Sequence, residues 1–127
     1  MIGRIFLLTS VLSAMSLPAQ ADVSVERGQM LFQTKCALCH NSDAAAGHAV
    51  GPNLHSVVGR QIGSAEGFNY SPALSDSKEH WTPELLDAFI ESPATNRPGT
   101  AMPFSGLKKA DDRKALILYL QSLGTQE

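Results

Sequence analysis

Apolar and polar positions alternate with a helical period in three stretches of the chain. After Ser24, the residues Val25, Gly28, Phe32 and Cys36 fall on one face, and the serine hydroxyl is placed to cap the helix they predict. Gly28 in mid-helix costs roughly 1 kcal/mol relative to alanine, which points to close approach by another helix. Thr82, Pro83 and Glu84 form a start signal: a capping hydroxyl, a proline at the first helical position, and an acid facing the positive helix end. That helix is predicted to run to about Ser92, where Pro93 stops it. Asp111 and Asp112 open a last helix with Leu116, Tyr119, Leu120 and Leu123 on one stripe and Gly124 just past its end.

The segments between them read differently. Residues 41–69 are rich in Gly, Ser, Asn and Pro and hold no sustained period, so they predict loop and turn, with a short helix over 71–76. Residues 92–106 carry three prolines and predict another loop. No run alternates as a strand would, and no internal repeat or low-complexity linker divides the chain. Three or four helices with long irregular connections make a poor core by themselves. Wrapped around a large flat apolar group, the same elements make sense.

The amino-terminal pattern changes the domain picture. Arg4 precedes an apolar run over 5–17, and Ala19, Gln20 and Ala21 supply small residues at cleavage spacing. This is the layout of a secretory signal peptide over 1–21, with the cut before Asp22. A spanning helix needs about 20 apolar residues, and this run is shorter and interrupted by Thr9, Ser10 and Ser13. Residues 22–127 are then one exported domain with no membrane span. Losing Arg4 lowers the formal charge by one from the whole chain's −2, so no basic field suggests nucleic acid.

The chain has two cysteines, both in "KCALCHN" at residues 35–41. A disulfide between Cys36 and Cys39 would close a tiny loop and staple nothing distant. A thioredoxin-like CxxC expects a strand–helix–strand setting, which the pattern lacks, and a structural zinc site expects four ligands. CxxCH reads instead as a c-type haem attachment, with both thiols as thioethers to one haem and His40 delivered to its iron. Candidates for the sixth position are Met102, Met30, His48, His55 and His80. Met30 lies too near the attachment site to cross to the other haem face. Loop context favours Met102, with histidine ligation as the alternative.

"CALCH", "GPNLH", "VGR", Trp81, "PGTAMPF" and "LILYL" occur in an order and spacing that resemble class I c-type cytochromes, the family of mitochondrial cytochrome c and its periplasmic bacterial relatives. The likeness covers essentially all of 22–127. It implies an all-α class I cytochrome c fold around one haem c, covalently attached through Cys36 and Cys39. His40 and Met102 are implied as iron ligands, and the Pro52 carbonyl as the partner of the His40 ring. Arg60, Tyr70 and Trp81 match the set contacting a haem propionate, and Phe104 follows the ligand methionine in "PGTAMPF". Gly28 and Phe32 are implied to pack against Leu116 and Tyr119 where the terminal helices cross.

The resemblance implies an electron carrier and no enzyme: a monomeric periplasmic shuttle cycling between ferric and ferrous haem. Its implied partners are a quinol–cytochrome c oxidoreductase, a terminal oxidase, a photosynthetic reaction centre or a periplasmic dehydrogenase. The competing reading is a haem peroxidase-like enzyme or haem-based sensor with a labile Met102. The chain departs from the mitochondrial pattern at Phe89, where a tyrosine is usual, and at Leu74, where an asparagine is common. Around the expected docking rim Lys35, Lys108 and Lys109 remain, but Ala94, Thr95 and Ala101 stand where lysines are common. Arg97 is expected to compensate in part, leaving weaker steering toward an acidic partner.

Overall fold

A computed structural model describes residues 13–18 and 22–125; most of the export signal read at 1–21 lies outside these residues. The described chain is all-α, in the order α1 (Val25–Lys35), α2 (Pro72–Ser75), α3 (Pro83–Glu91), α4 (Pro93–Asn96) and α5 (Ala110–Ser122). Extended pairing among the described residues is confined to two isolated bridges, Val58 with Thr125 and Gln61 with His80. No helix described is long and apolar enough to cross a membrane.

The caps form as the residue types dictate. Ser24 Oγ accepts from the Arg27 N–H at 3.1 Å, and Thr82 Oγ1 from the Leu85 N–H at 3.2 Å. Two expectations are corrected. The stretch 92–106 is not all loop, because Pro93 ends α3 and also occupies the first position of α4. Its fixed φ, which cannot continue one helix, is pre-set to begin the next. The last helix starts at Ala110 with Lys109 as its cap, and both aspartates sit inside its first turn.

α1 and α5 cross in the closest helix pairing of the fold. A Cβ on Gly28 would run into the Ala115 carbonyl and the Tyr119 side chain, so the mid-helix glycine is what lets the two backbones meet. Phe32 and Tyr119 stack beside it with ring centroids 5.4 Å apart, and Arg27 pairs with Asp112 at 3.0 Å across the rim. α3 is tied to α5 through the buried Arg113, which donates to Asp87 at 2.8 Å and to the carbonyls of Leu107 and Lys108. The Asp87 carboxylate holds the Arg113 guanidinium above its ordinary value, so this cation is fixed. Leu116, Leu120, Leu86, Phe89 and Ile90 then turn inward from this frame.

Candidate functional site

α1 ends where the thiols begin. The N–H groups of Cys36 and Ala37 both reach back to the Phe32 carbonyl, and those of Cys39 and His40 to the Cys36 carbonyl. This tight turn sets both thiols and the imidazole at one end of the helix. The loop of 49–53 closes over it, since the Gly51 N–H donates to the Cys39 carbonyl at 2.7 Å. A side chain at Gly51 would collide with the His40 ring, so glycine is required for this approach. His40 Nδ1–H donates to the Pro52 carbonyl at 2.7 Å, which leaves Nε2 as the lone-pair nitrogen.

The turn, the 50–70 loops, α3, the 100–104 loop and the inner face of α5 enclose a largely apolar cavity of about 430 Å³. That volume lies in the range of pockets that hold organic cofactors. All nine residues singled out from the sequence line it: Cys36, Cys39, His40, Pro52, Arg60, Tyr70, Trp81, Met102 and Phe104. Met102 lines it from the proline-bounded loop, its N–H on Thr100 Oγ1 at 3.4 Å and its carbonyl accepting from Phe104 at 2.9 Å. Of the other candidates for the sixth position, none lines the cavity. Met30 is exposed on α1. His48 bridges two loops, with Nε2 on the Glu66 carbonyl and Nδ1 accepting from the Asn53 N–H. His55 bonds the Ser42 carbonyl, and His80 is exposed.

Electrostatics separates the competing chemistries of the thiol pair. Burial, with the Cys39 thiol adding to it, pushes Cys36 up to about 11. Redox-active CxxC pairs need the opposite, a thiol brought down toward neutral pH. Burial also lowers the His40 imidazolium below the ordinary histidine value, against the Pro52 carbonyl and with the Arg60 charge. His40 is thereby kept neutral, as a metal ligand must be.

Arg60 is a buried cation whose guanidinium donates to the Asn53 carbonyl at 3.1 Å and more weakly to that of His55. Burial lowers its pKa, yet it stays charged, and no carboxylate pairs with it among the described residues. The Arg60 carbonyl accepts from the Trp81 N–H at 2.9 Å and the Gly59 N–H donates to the Trp81 carbonyl at 2.7 Å, which ties the turn carrying Arg60 to Trp81. Tyr70 accepts the Ala65 N–H at 3.2 Å, and Trp81 packs on Phe89 at 5.1 Å.

Ser71 was missed by sequence reasoning. It stands at the cap of α2, yet its hydroxyl makes no capping bond and lies buried in the cavity wall without a partner. A serine in a Ser/Asn-rich loop gives no signal of this; only the enclosing fold removes its water. An unpaired buried guanidinium and an orphaned hydroxyl are costly unless something else answers them. Apolar walls, two unpaired thiols and these two polar groups fit a flat apolar group bearing carboxylates, which is the chemistry of haem.

The rim departs from expectation in one respect. Arg97 does not compensate for the missing lysines, because it is bound to Glu79 at 2.7 Å.

Comparison with known proteins agrees with this geometry. The family model described as Cytochrome c matches residues 25–124. A cytochrome c of Gibberella zeae is 42% identical over 101 residues, spanning 80% of this chain and 95% of that protein. One of Ginkgo biloba is 42% identical over 100 residues, spanning 79% and 88%. A cytochrome c-type cyt cy of Rhodobacter capsulatus is 42% identical over 106 residues, spanning 84% of this chain and 52% of that longer protein.

Proposed function

The chain belongs to the cytochrome c family, and from that premise we propose that residues 22–127 form an exported, soluble one-electron shuttle with His40 and Met102 as its axial ligands. One observation carries the reading. Two free thiols, a neutral imidazole locked by Pro52, and a single thioether from a distant loop line the same apolar cavity.

Haem c supplies a metal that takes up and releases one electron without a change of its protein ligands. Cys36 and Cys39 would tether it as thioethers, so that it could not leave during turnover. Pro52 holds the His40 tautomer, which orients the ring and raises its basicity as a ligand. Met102 brings a soft donor that favours the reduced state, and the apolar wall of Leu74, Phe89 and Leu116 disfavours extra positive charge. Arg60, Tyr70, Trp81 and Ser71 would hold the acidic groups of the haem, with the Arg60 charge compensating theirs. With His40 and Met102 both serving as ligands, no open site would remain for a substrate. The signal pattern at 1–21 supports a periplasmic setting, where a quinol–cytochrome c oxidoreductase, terminal oxidase, reaction centre or dehydrogenase would exchange electrons with it.

Purified protein from a maturation-competent host is expected to keep its pigment through acid–acetone extraction and to titrate reversibly as a one-electron couple. The reduced form should refuse carbon monoxide at neutral pH. Ready binding would instead favour the peroxidase or sensor reading with a labile Met102, and extractable pigment would remove the tether.

A further inference from the structure

We propose that the Arg97–Glu79 ion pair is a latch on the Met102 loop: these two residues position the sulfur ligand and keep competing ligands out of the cavity. The proposal rests on the reading of Met102 as an iron ligand. Little else holds this loop. Among the described residues, every hydrogen bond made by 98–106 has its partner within 97–108. Ala101 and Pro103, on either side of Met102, are exposed at the cavity mouth, while Met102 and Phe104 pack against the core. Such apolar contacts are non-directional, so they favour burial of the loop without fixing where the sulfur lies.

The loop is therefore set by its two ends. At the far end the Leu107 N–H donates to the Ile90 carbonyl on α3 at 2.9 Å. At the near end the Arg97 guanidinium, its side chain 18% exposed, donates to Glu79 at 2.7 Å. From Arg97 the position passes to the methionine through a closed turn. The Arg97 carbonyl accepts from the Thr100 N–H at 3.0 Å, and Thr100 Oγ1 accepts from the Met102 N–H at 3.4 Å. Pro98, inside that turn, has a fixed φ, so little of the position is lost on the way. Glu79 is itself anchored. Its carbonyl accepts from the Ile62 N–H at 2.9 Å, and the next residues, His80 and Trp81, pair with Gln61 and Arg60. The ion pair thus ties the sulfur side of the cavity to the wall that carries Arg60. A partly exposed pair shifts an equilibrium by at most about fivefold. That is too little to hold a ligand by itself, yet it multiplies directly into the fraction of molecules whose loop is open, and so into the apparent affinity for anything that competes with Met102.

The probe is imidazole, at a pH where it is neutral, titrated into the ferric haem-loaded protein; being uncharged, it does not sense the altered surface charge. Arg97→Gln and Glu79→Gln should each raise the apparent imidazole affinity about fivefold. Combining them should do no more than either alone, since both break the same pair. Arg97→Lys should recover about half of the loss, because the contact is a single N–O bond. Arg97→Glu with Glu79→Arg should return to within about twofold of wild type. Raising salt should bring the wild type toward Arg97→Gln and leave that variant unmoved. Before imidazole is added, each variant should show the sulfur-to-iron charge-transfer band. Arg27→Gln breaks a pair of similar length between α1 and α5, and should lower the denaturant midpoint without altering imidazole affinity. Unchanged affinity in both glutamine variants, additive effects in their combination, a charge swap that restores nothing, or an equal gain in Arg27→Gln would overturn the latch and leave Met102 as the ligand. A wild type lacking the charge-transfer band would overturn the latch and the Met102 assignment together.

Discussion

The helical frame and the loop-built cavity are held together by different means. Where α1 crosses α5, every partner is protein: Gly28 meets Ala115, Phe32 meets Tyr119, and Arg27 meets Asp112. Around the cavity, side chains from 36–71 and 100–104 line about 430 Å³, where Arg60 meets only the carbonyls of Asn53 and His55, with no carboxylate partner among the described residues, and the Ser71 hydroxyl has no partner. The frame is complete as a polypeptide. The cavity is complete only with its cofactor, so structure and redox chemistry fail together in one region and separately in the other.

Removing the cofactor should break that contrast most severely. Treated as a closed hole, the cavity costs on the order of 10 kcal/mol at about 24 cal/mol per Å³, less where water enters. That is comparable to the entire stability of a domain, roughly 5–15 kcal/mol. Haem-free Cys36→Ala/Cys39→Ala protein is expected to lose its near-ultraviolet dichroism, with amide protection surviving longest in α1 and α5. A native near-ultraviolet spectrum without haem would refute the dependence.

Within the loaded protein, Gly28→Val should cost about 3 kcal/mol, because the side chain forces the α1 and α5 backbones apart. Denaturant midpoints would show it, while the visible spectrum and potential should not move. Gly51→Ala adds a smaller group but presses on the His40 ring. Its expected cost is about 2 kcal/mol, accompanied by an altered axial-ligand band. If both glycine variants altered only stability, the two regions would not be distinct.

Phe89→Tyr is the mildest probe. It places a hydroxyl in the cavity wall beside Trp81, with an expected stability change of about 1 kcal/mol. The redox titration should shift measurably, and an unchanged midpoint would count against polarity at this wall as a determinant of the potential.

Legibility in the sequence follows the same division. α1, α3 and α5 announce themselves because each carries an apolar stripe at helical spacing and a polar signal at its first turn: the caps Ser24 and Thr82, and the acids Asp111 and Asp112. α4 is not legible because a proline after a helix signals only a stop, and four residues are too few to show a period. The nine cavity residues were found by motif and resemblance, and they do line one space. Ser71 escaped because its significance lies in lacking a partner, which a sequence does not display. The state of Arg97 is hidden for the same reason: whether this cation is free depends on Glu79, eighteen residues away.

By itself the sequence determined the chemistry on offer, since CxxCH joins two thiols and an imidazole through covalent spacing within one turn, and the helices follow from local caps and period. Only the tertiary structure decided which distant groups complete it. Met102, Arg60 and Ser71 line the same cavity as the Cys36–His40 turn, brought there by loops with no period of their own. It also decided which charges remain available at the mouth, because pairing and burial are properties of neighbours in space.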